Sequence, residues 1–368
     1  MRSASTAGLV ALVAMIAVGC GSSPVPLAHL STPSAIASPA TSPSPPPTAP
    51  PLPRVPGACD ATHRCLALVT LRGSDKVVVR DVTDIDHAVT VNEAGLAAFI
   101  SATELSYEDG TTLYRTPLSG SPQTVVATAA KGIGLFAWTA DGKTAGYMTF
   151  DGLHVITAGR DQVFGEPLPV PAGGYGCESQ VCADGWDSRL AFSPDGAYVS
   201  LMVLSGPVSG FHLWSTDGKL ITSPTSPGGT MSVWSGRTLY YLSANGVKSW
   251  RDGVTSSFLA GVRWVRPKGS PAGGLLVYEA RDASGLAHVY TVDTANGKVR
   301  ELKAGRKEPA FLTSRYLWYA GERMCLASDP CVTGPTIATG KTYLYDLQTG
   351  TEYDSIITNV YDVWPHAA

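Results

Sequence analysis

Six of the seven cysteines fall in three close pairs: Cys59/Cys65, Cys177/Cys182 and Cys325/Cys331. Thiols so near one another can oxidise to a disulfide or share a metal. Zinc sites use Cys-x2-4-Cys spacings with more ligands at hand, and only His63 lies near a pair. Local disulfides at 59–65, 177–182 and 325–331 are therefore expected, each closing a small loop worth roughly 2 kcal/mol in the chain-entropy model. The remaining chemistry is sparse. Asp84-x-Asp86 and Asp184-x-x-Asp187 could touch a cation, but paired turn carboxylates are mostly solvated. No Asp-x-[Asp/Asn]-x-[Asp/Asn]-Gly calcium loop, His-Glu-x-x-His pair or Gly-x-Ser-x-Gly elbow occurs. His63, His87, His154, His212, His288 and His366 are scattered, and His154 and His212 sit in apolar runs. The residues point to no catalytic set, metal or cofactor.

The seventh cysteine stands apart. Arg2 supplies a positive start, and the apolar run Leu12-Val13-Ala14-Met15-Ile16 closes on Ala17-Val18-Gly19-Cys20. A charged beginning, an apolar middle and a small-residue cleavage site make a secretory signal. The Ala-Val-Gly-Cys step resembles a bacterial lipobox, with Ala17 where Leu is usual. That resemblance implies diacylglyceryl transfer to the Cys20 thiol and cleavage before it. Residues 1–19 would be the signal peptide and 20–57 the lipidated cysteine and its linker. The protein would then sit on the extracytoplasmic side of a cell membrane, in an oxidising compartment that suits disulfides.

The linker is dominated by Pro, Ser, Thr and Ala, as in Ser42-Pro43-Ser44-Pro45-Pro46-Pro47. Such a segment cannot bury enough apolar surface to offset chain entropy. Its prolines favour extended polyproline II, so about 37 residues could span on the order of 100 Å at full extension. Residues 58–368 form the expected folded part. Basic and acidic residues nearly balance, 27 against 30, which gives no footprint for nucleic acid. Gly (39) and Pro (27) are plentiful and punctuate short β-branched and aromatic runs, an all-β signature.

One pattern recurs: an apolar strand, a tight polar turn and a second apolar strand. Leu135-Phe136-Ala137-Trp138-Thr139-Ala140-Asp141-Gly142 and Leu190-Ala191-Phe192-Ser193-Pro194-Asp195-Gly196 are close copies. Val233-Trp234-Ser235-Gly236, Trp264-Val265-Arg266-Pro267, Ala310-Phe311-Leu312-Thr313 and Asp362-Val363-Trp364-Pro365 are weaker ones. Val89-Thr90-Val91-Asn92 fits without an aromatic. The anchors Val91, Trp138, Phe192, Trp234, Trp264, Phe311 and Trp364 lie between 30 residues (Trp234 to Trp264) and 54 residues (Trp138 to Phe192) apart. Four short strands per period of that size is a propeller blade. A pair of β-sandwiches is the other all-β reading, but it needs no repeated turn.

The phrases Phe192-Ser193-Pro194-Asp195-Gly196 and Trp138-Thr139-Ala140-Asp141-Gly142 resemble the WD40-like repeats of TolB-type propellers. The resemblance implies a fold and little about function, because propellers carry unrelated activities. The last repeat has no chain left to finish a blade. The first strands, Cys65 to Leu71 and Lys76 to Val82, have no inner strand before them. Pairing the two ends completes a blade and removes two sheet edges. This predicts seven blades, the first of them short, with six as the alternative.

In a blade with strands a to d from the axis outward, a–b and c–d turns share one face, and b–c and d–a loops share the other. The first set is minimal: Asp141-Gly142, Asp195-Gly196, Asp217-Gly218, Asp252-Gly253, Asn296-Gly297 and Thr349-Gly350. The second set would hold the long segments 101–111, 167–186, 204–210, 279–285 and 320–340. Long, stapled loops are more often functional than minimal ones, although permissive insertions would look the same. The binding face is therefore expected to include Glu104 and Tyr107, Tyr175, Trp186 and Asp187, and Arg281, Glu322 and Arg323. The expected function is a non-catalytic, membrane-anchored scaffold that binds a protein or envelope component through this face. A propeller enzyme, either lyase or glycan hydrolase, and a glycan-binding module are the alternatives.

Overall fold

A computed structural model of the chain describes residues 65–364, apart from 74–76, 82–87, 92–96, 119–121, 131, 134, 150–151, 165–188, 204–209, 223–230 and 332–333. Cys20, the 20–57 linker, Cys59, Tyr175, Cys177, Cys182, Trp186 and Asp187 lie outside the described residues.

Every regular element among the described residues is a strand. The chain opens with β1 (Leu66–Leu71), β2 (Val77–Asp81) and β3 (Ala88–Val91). Antiparallel meanders of four strands follow. The first is β4 (Ala97–Ser101), β5 (Glu104–Glu108), β6 (Thr112–Pro117) and β7 (Thr124–Thr128). The next is β8 (Leu135–Trp138), β9 (Thr144–Thr149), β10 (Gly152–Thr157) and β11 (Arg160–Phe164). Then come β12 (Arg189–Phe192), β13 (Tyr198–Val203), β14 (Gly210–Ser215) and β15 (Leu220–Thr222), and β16 (Ser232–Ser235), β17 (Thr238–Ser243), β18 (Gly246–Arg251) and β19 (Val254–Ala260). The last two are β20 (Val265–Gly269), β21 (Leu275–Arg281), β22 (Ala287–Asp293) and β23 (Val299–Ala304), and β24 (Arg306–Phe311), β25 (Tyr316–Met324), β26 (Thr336–Asp346) and β27 (Glu352–Asp354). The final strand, β28 (Ile357–Trp364), pairs with β1, giving the order β28-β1-β2-β3.

These seven four-stranded sheets are the blades of a β-propeller. The first strands of successive blades pack on one another: β28 on β4, β8 on β12, β12 on β16, β16 on β20 and β20 on β24. They are therefore the innermost strands. The ring is closed by the two ends of the chain, with Leu66 opposite Trp364 and Val69 opposite Val360. Closure by this pairing, and the count of seven, agree with the sequence reading.

The core lies between blades. Seven apolar clusters each bridge one pair of neighbours. Phe211, Leu213, Trp234 and Trp250 join the fourth and fifth blades, for example, and Val277, Val289, Phe311 and Tyr319 join the sixth and seventh. Second strands are sandwiched, as in β9, where all six residues are buried, whereas most residues of the outer strands β11, β19 and β23 are exposed. This gradient explains why no single strand alternates cleanly. A strand between two blades is apolar on both faces, and only the rim is wet.

The recurrent phrase is a turn device. Thr139 Oγ1 donates to Asp141 Oδ1 (2.7 Å) and accepts from Thr144 N (3.1 Å), while Gly142, at φ +65°, donates its N–H to Thr139 O (2.8 Å). Ser193, Asp195 and Gly196 repeat the set at 2.7, 3.0 and 2.8 Å. The hydroxyl and carboxylate occupy the turn's own backbone groups, so the signature builds a–b corners and is not a ligand site.

Two sequence expectations need correction. Val91 is not an inner-strand anchor. It ends β3, the outer strand of the first blade, paired with Val77, and Phe99 in β4 takes the inner place. The first blade is thus a full four-stranded one. Its outer strand is Ala88–Val91, because its inner strand comes from the C-terminal end and the three N-terminal strands fill the other places. Several expected long loops are also largely strand. The segment 101–111 contains all of β5, β21 continues to Arg281, and β25 and β26 extend into 320–340. Polar residues near a rim fit a strand as well as a loop, and sequence patterning did not separate them.

Candidate functional site

Inner strands run from the face of the b–c and d–a connections, here the loop face, to the face of the a–b and c–d turns, the turn face. On the loop face β20 and β24 begin in the same unusual way. Each has a bulge at a residue that precedes proline. Pairing steps from Val265↔Glu279 to Lys268↔Val277 in one, and from Lys307↔Ala320 to Ala310↔Trp318 in the other. The residues inside the bulges, Arg266 and Glu308, have φ of +50° and +56°. A left-handed conformation costs a non-glycine residue roughly 1–2 kcal/mol, and a following proline narrows its options further. Bulges re-aim side chains. These two bring Arg266 Nη1 to 3.5 Å from Glu308 Oε1 across the blade boundary.

Glu279 touches both bulges, the Glu308 backbone and the Arg266 side chain. Its side chain is fully buried. Oε2 accepts the backbone N–H of Glu308 (3.0 Å) and lies 3.4 Å from Arg266 Nη1. Oε1 forms an ion pair with Arg281 Nη2 at 3.1 Å, out of hydrogen-bonding alignment. Arg281 then reaches the seventh blade, with Nη1 and Nη2 at 3.1 and 3.2 Å from the Glu322 carboxylate. Glu322 also accepts the N–H of Ala287 (3.0 Å). Burial pulls the Arg281 guanidinium pKa down, but Glu322 and Glu279 outweigh it and hold it above the ordinary value. Arg266, Arg281 and Lys307 balance Glu279, Glu308 and Glu322. Burying such charges is tolerable only because each is paired. The cluster is a rigid ionic platform. Among the described residues it contains no hydroxyl or thiol nucleophile set against a base.

From this platform the seventh blade sends out a hairpin. β25 and β26 have 9 and 11 residues, where the corresponding strands of the sixth blade have 7 each. Rungs continue through Met324↔Thr336. A disulfide between Cys325 and Cys331 closes the tip, with Cα atoms 6.3 Å apart. Arg323 clamps Asp329, which also accepts the N–H of Leu326 (2.6 Å). The Arg323 hydrogen bond, aided by that N–H, lowers the Asp329 pKa to about 2. The neighbouring 282–286 turn lies against the hairpin, since a Cβ on Gly285 would meet Pro335 Cγ at 2.8 Å. Met324 and Leu326 point outward, 38% and 63% exposed.

The structure thus brings Arg281, Glu322 and Arg323 together at one edge of the loop face. It sets Glu104 on the other side of the ring. Glu104 starts β5 beside the a–b turn and forms a bidentate pair with Arg115, which donates to Gly142 O of the third blade (3.1 Å). That contact joins two blades on the turn face. Tyr107 stacks on Tyr114 at 5.1 Å within its own sheet. Of the expected disulfides, 325–331 is formed. Cys65 is disulfide-bonded and buried, and its expected partner Cys59 is not described. The sequence reading missed Arg266, Glu279 and Glu308. The available signal was the charged-residue–proline step that opens two inner strands, Arg266-Pro267 and Glu308-Pro309.

No family model and no curated protein matches the sequence. Solved structures do. The chain is similar to the tricorn protease, at 10% identity and TM-score 0.52 over 80% of this chain and 33% of that one. It is similar to a prolyl endopeptidase at 14% identity and TM-score 0.50, over 80% and 50% of the two chains. TolB from Acinetobacter baumannii matches at 13% identity and TM-score 0.42, over 81% of each. This chain spans a third of the first protein and half of the second. At such identities the likeness is one of fold, and the chain is a seven-bladed β-propeller with TolB proteins among its structural neighbours.

Proposed function

We propose that this propeller is a non-catalytic binding scaffold, anchored through a lipid on Cys20 outside the cytoplasmic membrane, that takes a protein or envelope component on its loop face. The observation that carries the reading is the stapled β25–β26 hairpin. It presents Met324 and Leu326 to solvent from a base fixed by Glu279, Arg281 and Glu322. Exposed apolar side chains on a preorganised element lose little entropy on binding, which is what an interface anchor needs. Leu66 begins β1 on the turn face, opposite Trp364. A linker that joins β1 from that face would leave the loop face free to meet a partner.

A photo-crosslinking residue at Leu326 tests this in intact cells, with the same residue at Thr255 on the rim as the comparison. A discrete adduct from position 326, absent at 255 and lost when Met324 is changed to Asp, is expected. Equal patterns from both positions would remove the loop face as the binding surface. The anchor is tested separately. Cys20→Ala should abolish acyl labelling and release the protein from the membrane fraction, and unchanged detergent partitioning would refute lipidation.

A further inference from the structure

The turn face carries a second surface, unconnected with the hairpin. Between the fifth and sixth blades, at the rim, lies an open groove of about 490 Å³. That is within the ~300–1,000 Å³ range of small-ligand clefts. One wall is β19 and the other is the c–d turn of the sixth blade; between them the buried Tyr240 ring packs, tilted by 56°, against the half-buried Phe258 with centroids 4.6 Å apart, so the ring surface open to the groove is that of Phe258. Hydroxyls surround the rings: Thr238 and Ser249 on the inner side, Ser256 on β19, and Thr294 from the facing turn. Burial raises the Tyr240 phenol pKa against the opposing hydrogen bonds of Thr294 and Thr238, so its hydroxyl is tied into the same rim.

Charge is present but paired. Asp252 and Arg251 close one end, with Arg251 Nε 3.7 Å from Asp252 Oδ2, and Arg237 donates to Asp252 Oδ1 at 3.1 Å while its Nε lies 3.3 Å from Asp195 Oδ2, so two guanidiniums meet two carboxylates. Asp252 is held at φ +48°, a left-handed turn position that fixes its carboxylate at the groove mouth. Such a site offers no net field to an anion or a cation. It offers apolar ring surface next to several groups that both donate and accept hydrogen bonds.

We infer that this groove is a binding site for a neutral saccharide. A pyranose has a C–H face that packs on an aromatic ring and an equatorial belt of hydroxyls that exchange hydrogen bonds with Ser, Thr and carboxylate oxygens. The groove supplies both in one place, with room for a short oligosaccharide. An added peptide strand is the competing occupant, because β19 is an outer edge without charge from Val254 to Ala260. The facing turn disfavours it. A Cβ on Gly297 would stand 3.8 Å from the Phe258 carbonyl, so that end of the edge is already covered.

Saturation-transfer NMR on the full chain tests the inference with maltotriose, cellotriose and chitotriose as probes at millimolar concentration, and with an uncharged Val/Thr hexapeptide beside them. Transfer to the ring protons of at least one saccharide is expected. Ser256→Trp fills the groove from an exposed strand position and should weaken that binding about tenfold or more. Asp252→Asn should also weaken it, and asparagine tolerates the left-handed turn, so folding is preserved. No transfer to any of the three sugars, transfer undiminished by Ser256→Trp, or transfer to the peptide alone would each overturn the assignment.

Discussion

At the scale of single residues, the loop face is governed by how buried charge is satisfied. Glu279 is fully buried and is tolerated because two guanidiniums and a backbone N–H surround it. The nearby His288 adds a pH-sensitive pair of contacts. Its Nε2 lies 3.0 Å from Asp282 Oδ2 and its Nδ1 lies 2.8 Å from Glu301 Oε1. Burial lowers the imidazole pKa, but the hydrogen bonds to Glu301 and Asp282 overcome this and leave it raised. A raised folded pKa means stability that is fully present below the unfolded value of about 6.5 and is lost as pH rises through the folded value. The melting temperature of wild type should therefore exceed that of His288→Gln most at acidic pH, and the gap should close toward alkaline pH. A gap that does not vary with pH would show that the neutral ring does the bonding.

At the scale of elements, the repeated corners and the two bulges have opposite roles. Asp195 organises its corner through Ser193 and Ala197 and adds an exposed ion pair to Arg237 at 3.3 Å. Exposed pairs contribute little, so the hydrogen bonds dominate. Asp195→Ala should cost about 1–2 kcal/mol without changing what the loop face binds. Urea unfolding together with the Leu326 crosslink checks both parts, and loss of the adduct at unchanged stability would assign the corner a binding role. The corners were legible in the sequence because Asp-Gly after a hydroxyl residue is a local solution to a local problem. The bulges at Arg266 and Glu308 were not. Their partners are distant in sequence: Glu279, which accepts the Glu308 N–H and lies beside the Arg266 guanidinium, is 13 residues after Arg266 and 29 before Glu308, and the Arg266 N–H meets Met231 Sδ.

At the scale of the whole molecule, the ring depends on its closure. β28 supplies the inner strand of the first blade, and Asp362 Oδ2 accepts the N–H of Phe99 in the second at 2.7 Å. Deleting 360–368 removes the partners of Leu66, Ala67, Leu68 and Val69, exposes sheet edges and leaves one blade without its inner strand. The melting temperature should fall on the order of 10 °C or more. A drop of only a few degrees would make the C-terminal strand dispensable.

The division between sequence and tertiary structure follows from range. Composition, turn chemistry and the 30–54 residue spacing of aromatic anchors determined an all-β repeat protein closed through its ends, because each blade repeats the same local rules and unpaired edges must be covered; the choice of seven blades over six, and Phe99 in place of Val91 as the second inner-strand anchor, came from the ring. The close cysteine pairs likewise announced the stapled tip. Which polar residues meet was decided only by the ring. Glu104 and Arg281 read alike in sequence as charged residues near a strand end, but strand direction sends one to the turn face and the other to the loop face. The groove by β19 and the platform around Glu279 each draw on two neighbouring blades, and contact between blades is set by packing around the axis, which no local pattern encodes.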